Sequence, residues 1–224
     1  NINKIVGRLG TTYNDFDNGE NDYVVPLVND NEGLKEALKG EIKYVQLSPG
    51  EYTLPTLSGY EGVTIIGIDG AVIGGDNVEN AFYYQNFGKN ATIKDVTFSG
   101  TTNGVRYSYA NGGVSIFDNC TFSGDGTYGF HIDQSNGAIF IFNDCTFVGF
   151  NAFAGDLVKV TFNNCTFLSN GNYGHTNIWS VGEFNDCIWG DNTSVGTRGS
   201  GKLYFNGVEE SYHHEFIGSA DSLF

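Results

Sequence analysis

Every cysteine of the chain falls in the same slot of one recurring six-residue motif. The motif reads Phe117-Asp118-Asn119-Cys120-Thr121-Phe122, Phe142-Asn143-Asp144-Cys145-Thr146-Phe147, Phe162-Asn163-Asn164-Cys165-Thr166-Phe167 and Phe184-Asn185-Asp186-Cys187-Ile188-Trp189. The slot continues through Asp95-Val96-Thr97-Phe98 and Ala71-Val72-Ile73 on one side, and through Phe205-Asn206-Gly207-Val208 on the other. Successive slots are about 20–25 residues apart, a period that belongs to a repeat architecture rather than to a globular core.

A second motif keeps the same beat. Asn80-Ala81-Phe82, Asn103-Gly104-Val105, Tyr128-Gly129-Phe130, Asn151-Ala152-Phe153 and Tyr173-Gly174-His175 each precede a slot. Between the two motifs runs an alternating apolar stretch, as in Val114/Ile116, Ile139/Ile141 and Val158/Val160. Each unit therefore holds three short period-2 segments divided by Gly, Asn, Asp and Ser, which predicts strands. Three strands per coil, stacked about 4.8 Å apart, make an all-β, right-handed parallel β-helix with equivalent residues in ladders. The Phe and Trp columns are expected to be core stacks. The Asn and Asp before each cysteine are expected to stack at one sharp corner, where a residue that bonds its own backbone is needed. The cysteines share their slot with Val96, Ala71 and Val208 and read as reduced, buried filler rather than disulfides or metal ligands.

Asn31–Lys39 is the one amphipathic helix, with Leu34, Ala37 and Leu38 on one face, Asp30 or Asn31 as cap and Gly40 as stop. A lone helix ahead of a solenoid suits its open end. It is followed by Ser48-Pro49-Gly50-Glu51-Tyr52-Thr53-Leu54 and by Val63-Thr64-Ile65-Ile66-Gly67 with Gly70-Ala71-Val72-Ile73-Gly74. This order of elements resembles the start of the pectin-lyase-like right-handed β-helix superfamily, and the downstream units are similar to its internal repeat over about residues 30–208. The resemblance implies the fold and leaves several functions open: polysaccharide lyase, glycoside hydrolase, phage tail receptor-binding module, or a non-catalytic adhesin.

The expected organisation is an N-terminal segment over 1–28, a β-helix over 29–208 including the capping helix at 31–39, and a terminal cap or tail over 209–224. Asp191 to Lys202 reads as a Gly/Ser/Thr loop, and Glu209 to Phe224 shows no clear strand pattern. The acidic run Asp15-Phe16-Asp17-Asn18-Gly19-Glu20-Asn21-Asp22 lacks the EF-hand spacing and reads as a solvated loop. No cofactor is expected, with calcium the one kept open. A chain that begins at Asn1 and has no Met is expected to be a mature or trimmed piece, so the missing leader does not argue against secretion.

Formal net charge is −15, from 26 acidic and 11 basic residues. Nucleic acid and anionic membranes are poor partners for such a surface. No apolar run reaches the ~18 residues of a membrane span. Expected partners are a polysaccharide or a surface protein, in a secreted or cell-surface setting.

If Phe82, Val105, Phe130 and Phe153 face inward, the next residues face outward: Tyr83, Arg106, His131, Ala154 and Thr176. Two further on, Gln85, Ser108, Asp133, Asp156 and Ile178 are expected to face outward as well. Tyr83, Arg106, His131, Asp133 and Asp156 thereby form a candidate carbohydrate-binding patch on neighbouring coils. His131, Arg106 and the two carboxylates are also the candidate catalytic groups, since a proton-transfer pair or two carboxylates can cleave a glycosidic bond. The superfamily's aspartate motifs are missing, however. Gly126-Thr127-Tyr128-Gly129 and Asn172-Tyr173-Gly174 stand at the matching turns, and Arg106 has no acidic trio on its own coil. The expectation is a non-catalytic binding module.

Overall fold

The computed structural model describes residues 27–39, 44–53, 57–58, 62–75, 79–85, 90–108, 112–133, 137–155, 158–169, 174–191, 193–197, 201–210, 214–216 and 221–222. The acidic run 15–22 and Asp156 lie outside them.

The chain is an all-β parallel β-helix. Each coil contributes one strand to each of three faces. Face one is a ten-stranded sheet that includes Val114–Asp118, Ile139–Asn143, Lys159–Asn163 and Val181–Asn185. Faces two and three are joined into a 14-stranded sheet, because the strands Thr121–Asp133 and Thr146–Gly155 turn a corner without breaking. The register is in step with the repeat: Phe117 pairs with Phe142, Phe142 with Phe162, and Phe162 with Phe184.

Alternation explains the core. Phe98, Phe122, Phe147, Phe167 and Trp189 form one stacked column, with centroid separations of 5.4, 5.0, 5.1 and 4.4 Å. Phe117, Phe142, Phe162, Phe184 and Phe205 form a second, at 5.2, 5.2, 4.8 and 5.2 Å. The columns meet edge to face, as at Phe142 and Phe147 (5.1 Å, 79°). Stacking along the axis and edge contacts across it use both favourable aromatic geometries at once.

The corner before each cysteine is left-handed. Asp95, Asn119, Asp144, Asn164, Asp186 and Asn206 all have φ between 47° and 56°. Asn and Asp tolerate that region better than other side-chain-bearing residues, which accounts for their place in the motif. Their side chains also bond up the ladder. Asn119 Nδ2 donates to Asp95 Oδ1 at 2.7 Å, and Asn164 Nδ2 donates to Asp144 Oδ1 at 2.6 Å. Beside it runs a second ladder, in which Asn143 donates to Asp118 (2.5 Å), Asn163 to Asn143 and Asn185 to Asn163 (both 2.8 Å).

All four cysteines are free and buried. Each thiol donates to two carbonyls, one on the preceding coil and one two residues back, at 3.2–3.6 Å. Burial, together with the neighbouring Cys145 thiol, pushes the Cys120 and Cys165 thiols well above the ordinary range.

The helix α1 (Asn31–Lys39) starts where Asp30 Oδ1 accepts the Gly33 amide at 2.7 Å. Leu34 and Leu38 are buried in the same core as Val28, Val45 and Leu47, so the helix packs on the first strands of face one. No described helix is long and apolar enough to cross a membrane.

The C-terminal end departs from expectation in three places. Thr193–Thr197 is a strand in register with Gly174–Ile178, where a loop is predicted. Val195 is its one core residue and Thr193 and Ser194 are buried beside it, so it carries no apolar period; Thr193 Oγ1 donates to the Gly190 carbonyl at 2.6 Å. Val208 does not continue the cysteine slot. Asn206-Gly207 reverses the chain, and Val208–Glu210 runs antiparallel to Lys202–Phe205 with Val208 59% exposed. Finally, the tail forms strands: His214–Phe216 pairs antiparallel with Thr193–Val195, and Asp221–Ser222 with Ile188–Trp189. Pairing of this kind satisfies the last coil's edge through the backbone, which leaves no mark in side-chain pattern.

Candidate functional site

Face three carries the candidate residues on the strands Asn80–Gln85, Asn103–Ser108, Thr121–Asp133 and Thr146–Gly155. The register places Tyr83 beside Arg106, Arg106 beside His131 and His131 beside Ala154, with Gln85, Ser108 and Asp133 in the next row. Only the backbone position of Tyr83 is described.

Two of the predicted residues touch. Arg106 Nη2 lies 3.2 Å from Asp133 Oδ2, and both side chains are about one-third exposed, at 32% and 30%. The contact is diagonal: Asp133 is two residues beyond His131, the partner of Arg106. His131 is engaged differently. Its ring stacks on Tyr128 at 4.2 Å and 15°. Burial lowers its pKa; the Asp133 carboxylate opposes this and the Arg106 guanidinium adds to it. His131 is therefore neutral at pH 7, with one ring nitrogen donating and the other accepting.

Tyr128 is the site residue that the outward-column reasoning passed over, because it belongs to the corner motif. Its column supplies the signal. Along that column the register holds Asn80, Asn103, Tyr128, Asn151 and His175, so this coil places a tyrosine where both of its neighbours hold asparagine. Gly124 helps to fix it: a Cβ on Gly124 would collide with the Tyr128 carbonyl, so a side chain here would displace the corner. On the far side of His131 the next coil offers Ala154, which is 8% exposed and too short to cover the ring pair.

Three predicted outward positions need correction. Ser108 stands in the outward row yet is 2% exposed, and its Oγ is buried without a protein partner. Thr176 and Ile178 point inward, at 1% and 0% exposed. The cause is an irregularity between Asn151 and Phe153: Asn151 pairs with His175 but Phe153 pairs with Thr176. The motif Tyr173-Gly174-His175 is therefore out of step with Asn151-Ala152-Phe153, and Asn177 pairs with Ala154.

The described groups offer ring stacking, hydrogen bonding and an ion pair. Hydrolysis by paired carboxylates needs two at a defined separation. Asp133 is the one described carboxylate in this cluster, and it is held by a guanidinium, which suits an acceptor better than a proton donor. No three His, Cys, Asp or Glu side chains converge on a metal position among the described residues. No protein-family model and no curated protein matches the chain.

Proposed function

We propose that this chain is a non-catalytic β-helix module that binds carbohydrate on face three, as a secreted or cell-surface adhesin does. The observation that carries this reading is the Tyr128–His131 ring pair standing beside the Arg106–Asp133 ion pair above the short side chain of Ala154. A sugar has an apolar ring face and a rim of hydroxyls. The ring pair suits the first, and the neutral imidazole and the fixed carboxylate suit the second. Arg106 is already matched by Asp133, and the whole chain carries −15, so uncharged glycans fit better than uronates. The Ser-Pro-Gly-Glu-Tyr-Thr-Leu run after the helix supports a place in the pectin-lyase-like superfamily.

The test is retention on immobilised neutral and acidic polysaccharides, with reducing-sugar and unsaturated-product release assayed on the same panel, with and without calcium. Retention of a neutral polymer without product, weakened at least tenfold in Tyr128→Ala, is the expected result. Product release that disappears in Asp133→Ala would make the protein an enzyme. Absence of both retention and turnover would move the reading to a protein partner.

A further inference from the structure

The four thiols of the cysteine ladder have no role in the carbohydrate reading, and their arrangement is unusual. Cys120, Cys145, Cys165 and Cys187 occupy one slot on four successive coils. The backbone ladder locks them in register: the Thr146 amide donates to the Cys120 carbonyl, Thr166 to Cys145 and Ile188 to Cys165, at 2.9, 2.8 and 2.8 Å. Each thiol makes the same pair of carbonyl contacts as the one below it, so the sulfurs repeat by translation along the axis.

The rung spacing decides what such a column can hold. A disulfide needs sulfurs ~2.05 Å apart on Cβ atoms ~3.8 Å apart. Residues stacked in register stand about 4.8 Å apart, which is too far without shifting a coil. Four-coordinate zinc needs ligands that converge, and a straight column does not converge. A linear two-coordinate cation is different: with bonds to sulfur about as long as the ~2.3 Å of zinc–thiolate bonds, it spans about 4.6 Å between its two sulfurs. That is close to the rung spacing. Thiolate sulfur selects soft ions such as Cu(I).

We propose that the ladder is a binding column for soft monovalent cations, Cu(I) or Ag(I), each held linearly between two thiolates on adjacent coils. The first ion displaces the protons of two thiols, M⁺ + 2 R–SH → [RS–M–SR]⁻ + 2 H⁺. A second ion takes its own pair of thiols and releases two more protons, so each filled pair carries one negative charge and no atom changes oxidation state. A thiolate bonded to ions both above and below it in a straight column would need a metal–sulfur–metal angle near 180°, which sulfur does not offer, so four thiols hold two ions, one on Cys120 and Cys145 and one on Cys165 and Cys187. The protons must be displaced from buried thiols, which restricts the site to ions with a strong preference for sulfur.

Adjacency is the testable property. The intact chain is titrated with Ag(I), and with Cu(I) supplied from a competing chelator, and bound ions are counted by native mass spectrometry. Alanine is the replacement of choice because Ala71 takes this slot in an earlier coil. Far-UV circular dichroism and chemical denaturation establish that each variant is folded. Wild type should fill to two ions, Cys120→Ala to one, and Cys120→Ala/Cys187→Ala, which keeps the adjacent pair Cys145 and Cys165, also to one. Cys120→Ala/Cys165→Ala also keeps two thiols, but on non-adjacent coils, and should bind none. Equal uptake by the two double variants, or no uptake by the folded wild type, would overturn the proposal.

Discussion

Arg106 and Asp133 face each other across two neighbouring coils, 3.2 Å apart, and neither is buried. Exposed pairs of this kind contribute about 0–1 kcal/mol to folding. Asp133→Asn should therefore shift the denaturation midpoint only slightly while weakening carbohydrate retention severalfold. Equal retention by wild type and variant, on a polymer that Tyr128→Ala no longer binds, would remove Asp133 from the site and leave the ring pair alone.

His131 gives the site a pH dependence of definite sign. Its folded pKa is lowered, chiefly by burial, from an unfolded value of about 6.5. The unfolded chain then binds the proton more readily. The contribution of neutral His131 to stability is complete above pH ~6.5 and is lost as pH falls from there through the folded pKa. The unfolding free energy should decline less steeply over that window in His131→Gln than in wild type. A nuclear magnetic resonance titration of the His131 ring should show its midpoint below 6.5; a midpoint above it would mean that Asp133 outweighs burial.

Phe142 is fully buried and lies between Phe117 and Phe162 in one column, with Phe147 and Phe153 against its edges. Phe142→Ala should cost about 3–5 kcal/mol, measured as a loss of unfolding free energy in denaturant. In a solenoid each coil contacts its neighbours alone, so hydrogen exchange should quicken most around Val114–Asp118 and Lys159–Asn163.

The left-handed corners separate backbone from side-chain effects. Asn164 has φ 52° and donates to Asp144. Asn164→Val should cost about 1–2 kcal/mol for the conformation alone. Asn164→Gly keeps the conformation and loses only the exposed side-chain bond, so its thermal midpoint should stay within a few degrees of wild type. Matching losses in the two variants would show that the ladder bond, not the backbone, holds the corner.

The solenoid was legible because its core residues recur at a fixed period and face inward for one reason, burial. Phe142, Cys145 and Phe147 announce their positions in every coil. What escaped was whatever the backbone decides alone. The irregularity that turns Thr176 inward is marked in the motif by His175 alone, which stands where the other copies have Phe or Val. The polar strand Thr193–Thr197 and the antiparallel strand His214–Phe216 carry no apolar alternation. In the candidate site, Arg106 and Asp133 were readable as outward neighbours. The stacking of His131 on Tyr128 depends on how the corner at Gly124 delivers the tyrosine, and that is a three-dimensional fact.

The left-handed corner alternates strictly in charge: Asp95, Asn119, Asp144, Asn164, Asp186, Asn206. Asp144 and Asp186 thus each meet an amide on either side, and no two of these carboxylates stand one rung apart, about 4.8 Å, where like charges repel. A duplication or deletion of one coil would set Asp on Asp or Asn on Asn at the seam. Two coils inserted together would not. A seam that sets Asp on Asp should need a compensating Asp-to-Asn exchange at the corner, whereas Asn on Asn stacks without one, as in the neighbouring ladder.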